Sequence, residues 1–139
     1  ASAPAGAQDK FPVKPIRMLV PFSAGSATDF FARGVGQKLS ETWGQQIVVD
    51  NRPGAGGIIG TEVVIQANPD GHTILLSSNS TFAVNPAVFR KLPYDVFRDL
   101  QLVGVVGYAP HVLAVRSGIP ANNLAELVAL ALPRTSPAQ

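Results

Sequence analysis

Residues 16–81 run strand, loop, helix twice over and then strand, loop, and this alternation constrains the fold more than any other feature of the chain. Short apolar runs at residues 16–20, 47–49 and 73–76 have the length of buried strands. Ser26 followed by Asp29 resembles a capping box and opens a helix expected to reach about Thr42. Phe31, Val35, Leu39 and Trp43 recur every four residues and are expected to face the core. Gly34 and Gly36 weaken that helix by about 1 kcal/mol each relative to alanine, and permit a close approach of helix to sheet. Gly44 ends it. A second helix is expected over residues 58–67, with Ile59, Val63 and Ala67 in one row. Asn68-Pro69-Asp70-Gly71 is a strong turn signal before the third strand. The pattern predicts an α/β fold: a parallel sheet with helices on its faces and right-handed crossovers.

The rest of the chain is expected to hold a short helix over residues 85–89, a turn at 92–95 and strands at 102–106 and 112–115. A last helix follows Asn123, with Glu126 in a capping position and Leu124, Leu127, Val128 and Leu130 as its apolar residues. There is no internal repeat.

With 139 residues, 46% apolar and 14% charged, the chain suffices for a domain with a packed core and is not disordered over most of its length. The net charge of +2 is not gathered into a Lys/Arg cluster, so no nucleic-acid partner is expected. No apolar run approaches the ~18 residues of a membrane span. Cysteine is absent, and His72 and His111 lie far apart in sequence, so neither a metal nor another cofactor is expected. Residues 1–15 are small and Pro-rich, and read as a linker or as what remains after a signal peptide has been cleaved.

In an open parallel sheet, ligands sit outside the carboxyl ends of the strands. The loops there are residues 22–29, 51–57 and 77–81, rich in Ser, Thr, Asn and Gly, with helix N-termini behind the first two. Free amides and the helix dipole favour an anion, most simply a carboxylate. Any one of these loops is also explained by capping and turn closure alone; the convergence of all three favours a site. Arg52 is placed either to reach an anion or to sit in solvent. The enzyme readings fare worse. Residues 54–60 spell G-x-G-x-x-x-G, but follow the second strand and lack an acid about 20 residues on. No G-x-S-x-G is present. His72 is expected to be a solvated strand-start residue, and His111 to serve a turn.

Several spaced motifs carry a family resemblance. Lys14-Pro15-Ile16-Arg17 leads to Pro21-Phe22-Ser23-Ala24-Gly25 and Thr28-Asp29. Asn51-Arg52-Pro53-Gly54-Ala55-Gly56-Gly57 follows, and then Ser78-Asn79-Ser80-Thr81, Asn85-Pro86 and Lys91-Leu92-Pro93-Tyr94-Asp95. In this order they resemble the Bug-type periplasmic receptors of tripartite tricarboxylate transporters. The resemblance implies one lobe of a two-lobed receptor that closes on a small organic acid: a dicarboxylate, tricarboxylate, amino acid or aromatic acid. It implies that Phe22, Ser23, Ala24, Gly25, Ser26, Thr28 and Asp29 hold the ligand together with Ser78, Asn79, Ser80 and Thr81. It also implies delivery to membrane permease subunits, a periplasmic location and no catalysis. Ser26 and Ser80 stand where the family usually has glycine, which puts ligand size and affinity in question.

The expected division is an arm over residues 1–14, a first lobe over 15–106, a crossover strand and helix over 107–132, and a tail over 133–139. Family members are longer, so the chain reads as a truncated receptor with an open sheet edge, expected to be of low stability or to self-associate. The alternative reading is an interaction protein that dimerises through that edge without transporting a ligand.

Overall fold

A computed structural model of the chain describes residues 11–131. Most of the expected arm, and the whole of the expected tail, lie outside the described residues. The strands are β1 (Ile16–Val20), β2 (Ile47–Asn51) and β3 (Thr73–Leu75). They form a three-stranded parallel sheet in the order β2-β1-β3, with Leu19 opposite both Asp50 and Leu75. Helices α1 (Ala27–Trp43) and α2 (Ile58–Ile65) are the two crossovers, as the alternation predicts.

Alternate residues of β1 serve opposite faces. Met18 and Val20 join Ala32 and Leu76 in a core that Phe22, Phe31, Val35, Leu39, Ile47, Val49 and Ile74 surround. Leu19, fully buried, points to the other face, where α2 packs on β1 and β3. Burying a side chain of this size contributes about 1.5–3 kcal/mol, so the central strand anchors both layers.

Helix α1 begins and ends as expected. The Ser26 hydroxyl accepts the Asp29 amide at 3.2 Å, and Gly44 closes the helix in the left-handed conformation. Three of the four residues of its expected inward row, Phe31, Val35 and Leu39, pack on the core beside the buried Ala32 and Gly36, while Trp43 is 40% exposed and meets Phe11 edge to face. Gly36 is the close-approach glycine, since a Cβ there would lie 3.3 Å from Ile47; at Gly34 nothing lies within 4 Å. Helix α2 likewise buries Gly60 and Thr61 rather than Ile59, which is half exposed.

Beyond β3 come a π-helical turn (Ser80–Val84) and the short helices α3 (Asn85–Val88) and α4 (Val96–Asp99). The sequence reading did not anticipate α4. The Asp95 carboxylate caps it, accepting the amides of Phe97 at 2.9 Å and Arg98 at 3.1 Å. The strands expected at 102–106 and 112–115 do not form: both segments are irregular and exposed. An apolar run alone does not make a strand, because its amides and carbonyls need a ladder partner, and among the described residues these segments have none. His72 is a further correction. It is buried, 9% exposed, with its ring 4.9 Å from that of Phe11.

The chain divides into one compact unit ending at Tyr108 and a second beginning at Ala109. The second contains α5 (Leu124–Ala131), where the Asn123 side chain accepts the Glu126 amide at 3.0 Å.

Candidate functional site

Because the strands are parallel, the segments that follow Val20, Asn51 and Leu75 leave the sheet from one edge. Backbone bonds continue the ladders past the strands: the Arg52 amide donates to the Val20 carbonyl at 2.8 Å, and the Leu76 amide to the Leu19 carbonyl at 3.0 Å. The loops then meet around Gly57. A Cβ on Gly57 would lie 3.2 Å from the Thr81 hydroxyl, 3.5 Å from Pro21 and 3.6 Å from the Phe22 ring. Only glycine fits there, since φ is also 92°. The expected convergence of the three loops is therefore present.

Asp29 organises the first loop. One carboxylate oxygen accepts the Gly25 amide at 2.9 Å and the Arg33 guanidinium at 3.0 Å. The other accepts the Asn51 side-chain amide at 3.0 Å, and that same nitrogen donates to the Phe22 carbonyl at 3.1 Å. Asp29 thus fastens loop, helix and the end of β2 at once. It is 3% exposed and turned inward. The hydrogen bond from Arg33, then those from Gly25 and Asn51, outweigh burial and hold its carboxyl at about 2. At neutral pH it is ionised, and Arg33 balances its charge beside the proposed anion site.

The remaining predicted residues divide by accessibility. Ser23, Ala24, Gly25 and Asn79 are exposed; Phe22, Ser26, Thr28, Ser78 and Ser80 are half-buried. Thr81 is fully buried, and its hydroxyl lies 2.6 Å from that of Ser77. Asp29 and Thr81 therefore shape the rim from behind, while the others border solvent. Ser26 takes the Asp29 and Phe30 amides, through its side chain and carbonyl respectively. Among the described residues no acceptor meets the Ala27 and Thr28 amides, which belong to the open first turn of α1. Gly57 caps α2 without a side-chain hydrogen bond. The rim thus offers amides and hydroxyls as donors. Arg52 pairs with Asp50 at 3.0 Å and is 55% exposed along its side chain.

Sequence reasoning assigned no role to Asn51, Asn85, Tyr94 or Arg33. The motif positions of Asn51, Asn85 and Tyr94 were the available signal. Their bonds join residues outside one another's local segments, whereas Arg33 stands four residues after Asp29, a helical pairing that the spacing could have shown.

Asp70 is held at about 2 like Asp29, by Lys14 first and then the His72 amide. Asp99 also lies at about 2, through Arg98 and then the Asp95 amide. A carboxyl lowered on folding favours the folded state above its ordinary value of 3.8 and loses that contribution as pH falls through the folded value. The chain is therefore expected to keep its melting temperature down to about pH 4 and to lose it steeply from there toward pH 2. Thermal melts by circular dichroism across that range check this; a flat profile down to pH 2 contradicts it.

Comparison with known proteins matches residues 31–138 to the family described as tripartite tricarboxylate transporter family receptor. The chain is 42% identical to protein BugT of Bordetella pertussis over 129 residues, covering 92% of this chain and 39% of that protein. A UPF0065 protein of the same organism is 44% identical over 120 residues, covering 86% of this chain and 37% of the relative. The chain spans less than half the length of the curated relatives it matches. Among solved structures, Rpa4515 of R. palustris with adipate superposes with a TM-score of 0.81 at 34% identity, over 88% of this chain and 41% of that one. MatC from Rhodopseudomonas palustris with bound malate gives 0.62 at 38% identity, over 64% of this chain and 30% of that one. Among the described residues no helix is long and apolar enough to cross a membrane.

Proposed function

From the membership of this chain in the tripartite tricarboxylate transporter receptor family, we propose that it supplies the first-lobe binding surface of a periplasmic receptor for a small organic carboxylate, which membrane permease subunits then receive. The meeting of the three loops at Gly57, with donors and no unpaired carboxylate on the rim, carries this reading. Adipate and malate in the two structural relatives support the ligand class. The ligand's carboxylate lies against the Ser23–Gly25 backbone and the first turn of α1, and Ser78, Asn79 and Ser80 approach it from the other side. The protein's part is recognition and positioning; no bond is made or broken.

Magnitudes set the expected affinity. A helix N-terminus contributes about 0.3–1 kcal/mol toward an anion, and each hydrogen bond to a charged group about 1.5–3 kcal/mol. Association costs at least about 4 kcal/mol. A few such bonds on one open surface leave an affinity of about millimolar order. Closure of a second lobe would supply the desolvated contacts needed for tighter capture. Calorimetric titration with dicarboxylates, tricarboxylates, acidic amino acids and aromatic acids tests the reading. Weak, saturable binding of at least one acid is expected, reduced by joint replacement of Ser23, Asn79 and Ser80 with alanine. Binding that survives this triple replacement removes the assigned site.

Bare apolar side chains near the end of the first unit support a second property of the isolated chain. Phe97, Val103, Val105 and Tyr108 are 96%, 97%, 70% and 89% exposed. Exposed apolar surface of this kind drives association. Concentration-dependent self-association is expected in sedimentation experiments, and Val103→Glu with Val105→Glu is expected to suppress it without lowering the melting temperature. A monodisperse monomer at high concentration contradicts this.

A further inference from the structure

A group of buried polar side chains lies behind the rim, out of reach of any ligand. Asn85 and Tyr94 are 4% and 5% exposed. The Asn85 side-chain amide donates to the Gly56 carbonyl at 3.1 Å and to the Tyr94 hydroxyl at 3.3 Å. The Tyr94 hydroxyl donates in turn to the Thr81 carbonyl at 3.1 Å. Both hydrogens of the Asn85 amide are thereby used. The opposite orientation of that amide would set its oxygen against the Gly56 carbonyl. The result is one continuous relay from the glycine-rich loop to the serine-rich turn.

The glycine-rich loop needs such support. Gly54, Ala55, Gly56 and Gly57 all have positive φ, at 140°, 48°, 64° and 92°. For Ala55 this conformation costs about 1–2 kcal/mol, and strained backbone persists only where its surroundings over-determine it. The carbonyl that Asn85 grips belongs to Gly56, in the middle of this run. Thr81, at the other end of the relay, borders the contact with Gly57.

Resting on the carboxylate-receptor reading, we propose that Asn85 and Tyr94 are positioning residues: they hold the residue 54–57 loop and the residue 78–81 turn in the spacing the ligand requires, without touching it. Removing the Tyr94 hydroxyl leaves the Thr81 carbonyl without its donor and one Asn85 hydrogen without an acceptor. The two loops then loosen together rather than singly.

The test combines Tyr94→Phe and Asn85→Ser with a core control, Met18→Ala, in the full chain. Amide hydrogen exchange at Gly57 and Thr81 is read without ligand, and malate and adipate affinities are read by calorimetry. In both relay variants exchange is expected to rise at both amides together, and affinity to fall about tenfold, equivalent to about 1.4 kcal/mol. Met18→Ala is expected to lower the melting temperature at least as much while leaving the affinity of the folded protein within about twofold. A relay that serves only general stability would give all three variants the same behaviour, and that overturns the proposal. Raised exchange with unchanged affinity also overturns it. If the unaltered chain takes up neither of these acids nor any other of the four acid classes, the receptor reading fails on that result alone. The proposal then stands or falls on the exchange data: a joint rise upholds the coupling of the loops, and a rise at one amide only overturns it.

Discussion

Gly60→Ala is expected to destabilise the chain by about 2 kcal/mol, despite replacing glycine with the best helix former in a helix interior. On propensity alone the change should add up to about 1 kcal/mol of stability. The site does not allow it. A Cβ at residue 60 would lie 2.7 Å from the Pro21 Cβ, 2.8 Å from the Arg52 carbonyl oxygen and 2.9 Å from the Pro21 Cα. Two of these atoms are backbone, and the third belongs to a rigid ring, so no flexible side-chain end is there to yield. Overpacking of this kind costs about 1–3 kcal/mol, more where backbone must move. It would also push α2 away from Pro21 and open the meeting point of the loops. Gly34→Ala is the matched control. It lies in α1 with nothing within 4 Å, so its propensity gain is unopposed, and it is expected to raise stability by up to about 1 kcal/mol. Denaturant unfolding of the two variants side by side decides the matter. Equal and stabilising effects would mean that α2 does not approach the first loop as closely as described.

Asp29→Asn is expected to weaken carboxylate binding by about tenfold or more while leaving the secondary structure intact. The replacement keeps size and shape but turns one acceptor oxygen into a donor. Asp29 faces donors on both sides: Gly25 and Arg33 at one oxygen, Asn51 at the other. Either orientation of the new amide sets a donor against a donor. The Ser26 cap is independent of this carboxylate's charge, so α1 keeps its start. The 22–25 loop loses its tether, and Arg33 loses its counter-charge. The variant should also show a shallower loss of stability between pH 4 and pH 2, since one of the three carboxyls held at about 2 is gone. Calorimetry and acid melts read the two effects separately. Affinity within about twofold of the unaltered chain would deny Asp29 its part in shaping the loop.

Local signals made the first half of the fold legible. β1 lies between prolines, α1 carries its cap at Ser26 and its stop at Gly44, and the Asn68–Gly71 turn precedes β3. Such features are decided within a few residues of chain. What escaped was decided at longer range. Helix α2 reads Ile-Ile-Gly-Thr-Glu-Val-Val-Ile, apolar on nearly every side, so periodicity could not show that Gly60 and Thr61 face inward. His72 looked solvated because it follows a turn, but Phe11 folds over it. The runs at 102–106 and 112–115 have strand composition without strand partners among the described residues. For the candidate site, residue types pointed to an anion, and the positions of the loops followed from parallel topology. The division between exposed and buried site residues did not: Asp29 and Thr81 are 3% and 0% exposed, and the bonds of Asn51, Asn85 and Tyr94 join residues far apart in sequence.

An acid is expected to settle on one defined rim of the sheet, and backbone amide NMR shifts of the chain during titration with malate and adipate show where it does. Perturbations are expected to saturate together at residues 23–28, 57–58 and 78–81, with those around Arg17, Asp50 and Arg52 unmoved. Shifts that gather instead at the Arg17–Asp50–Arg52 surface, or none at all at high millimolar acid, would contradict it.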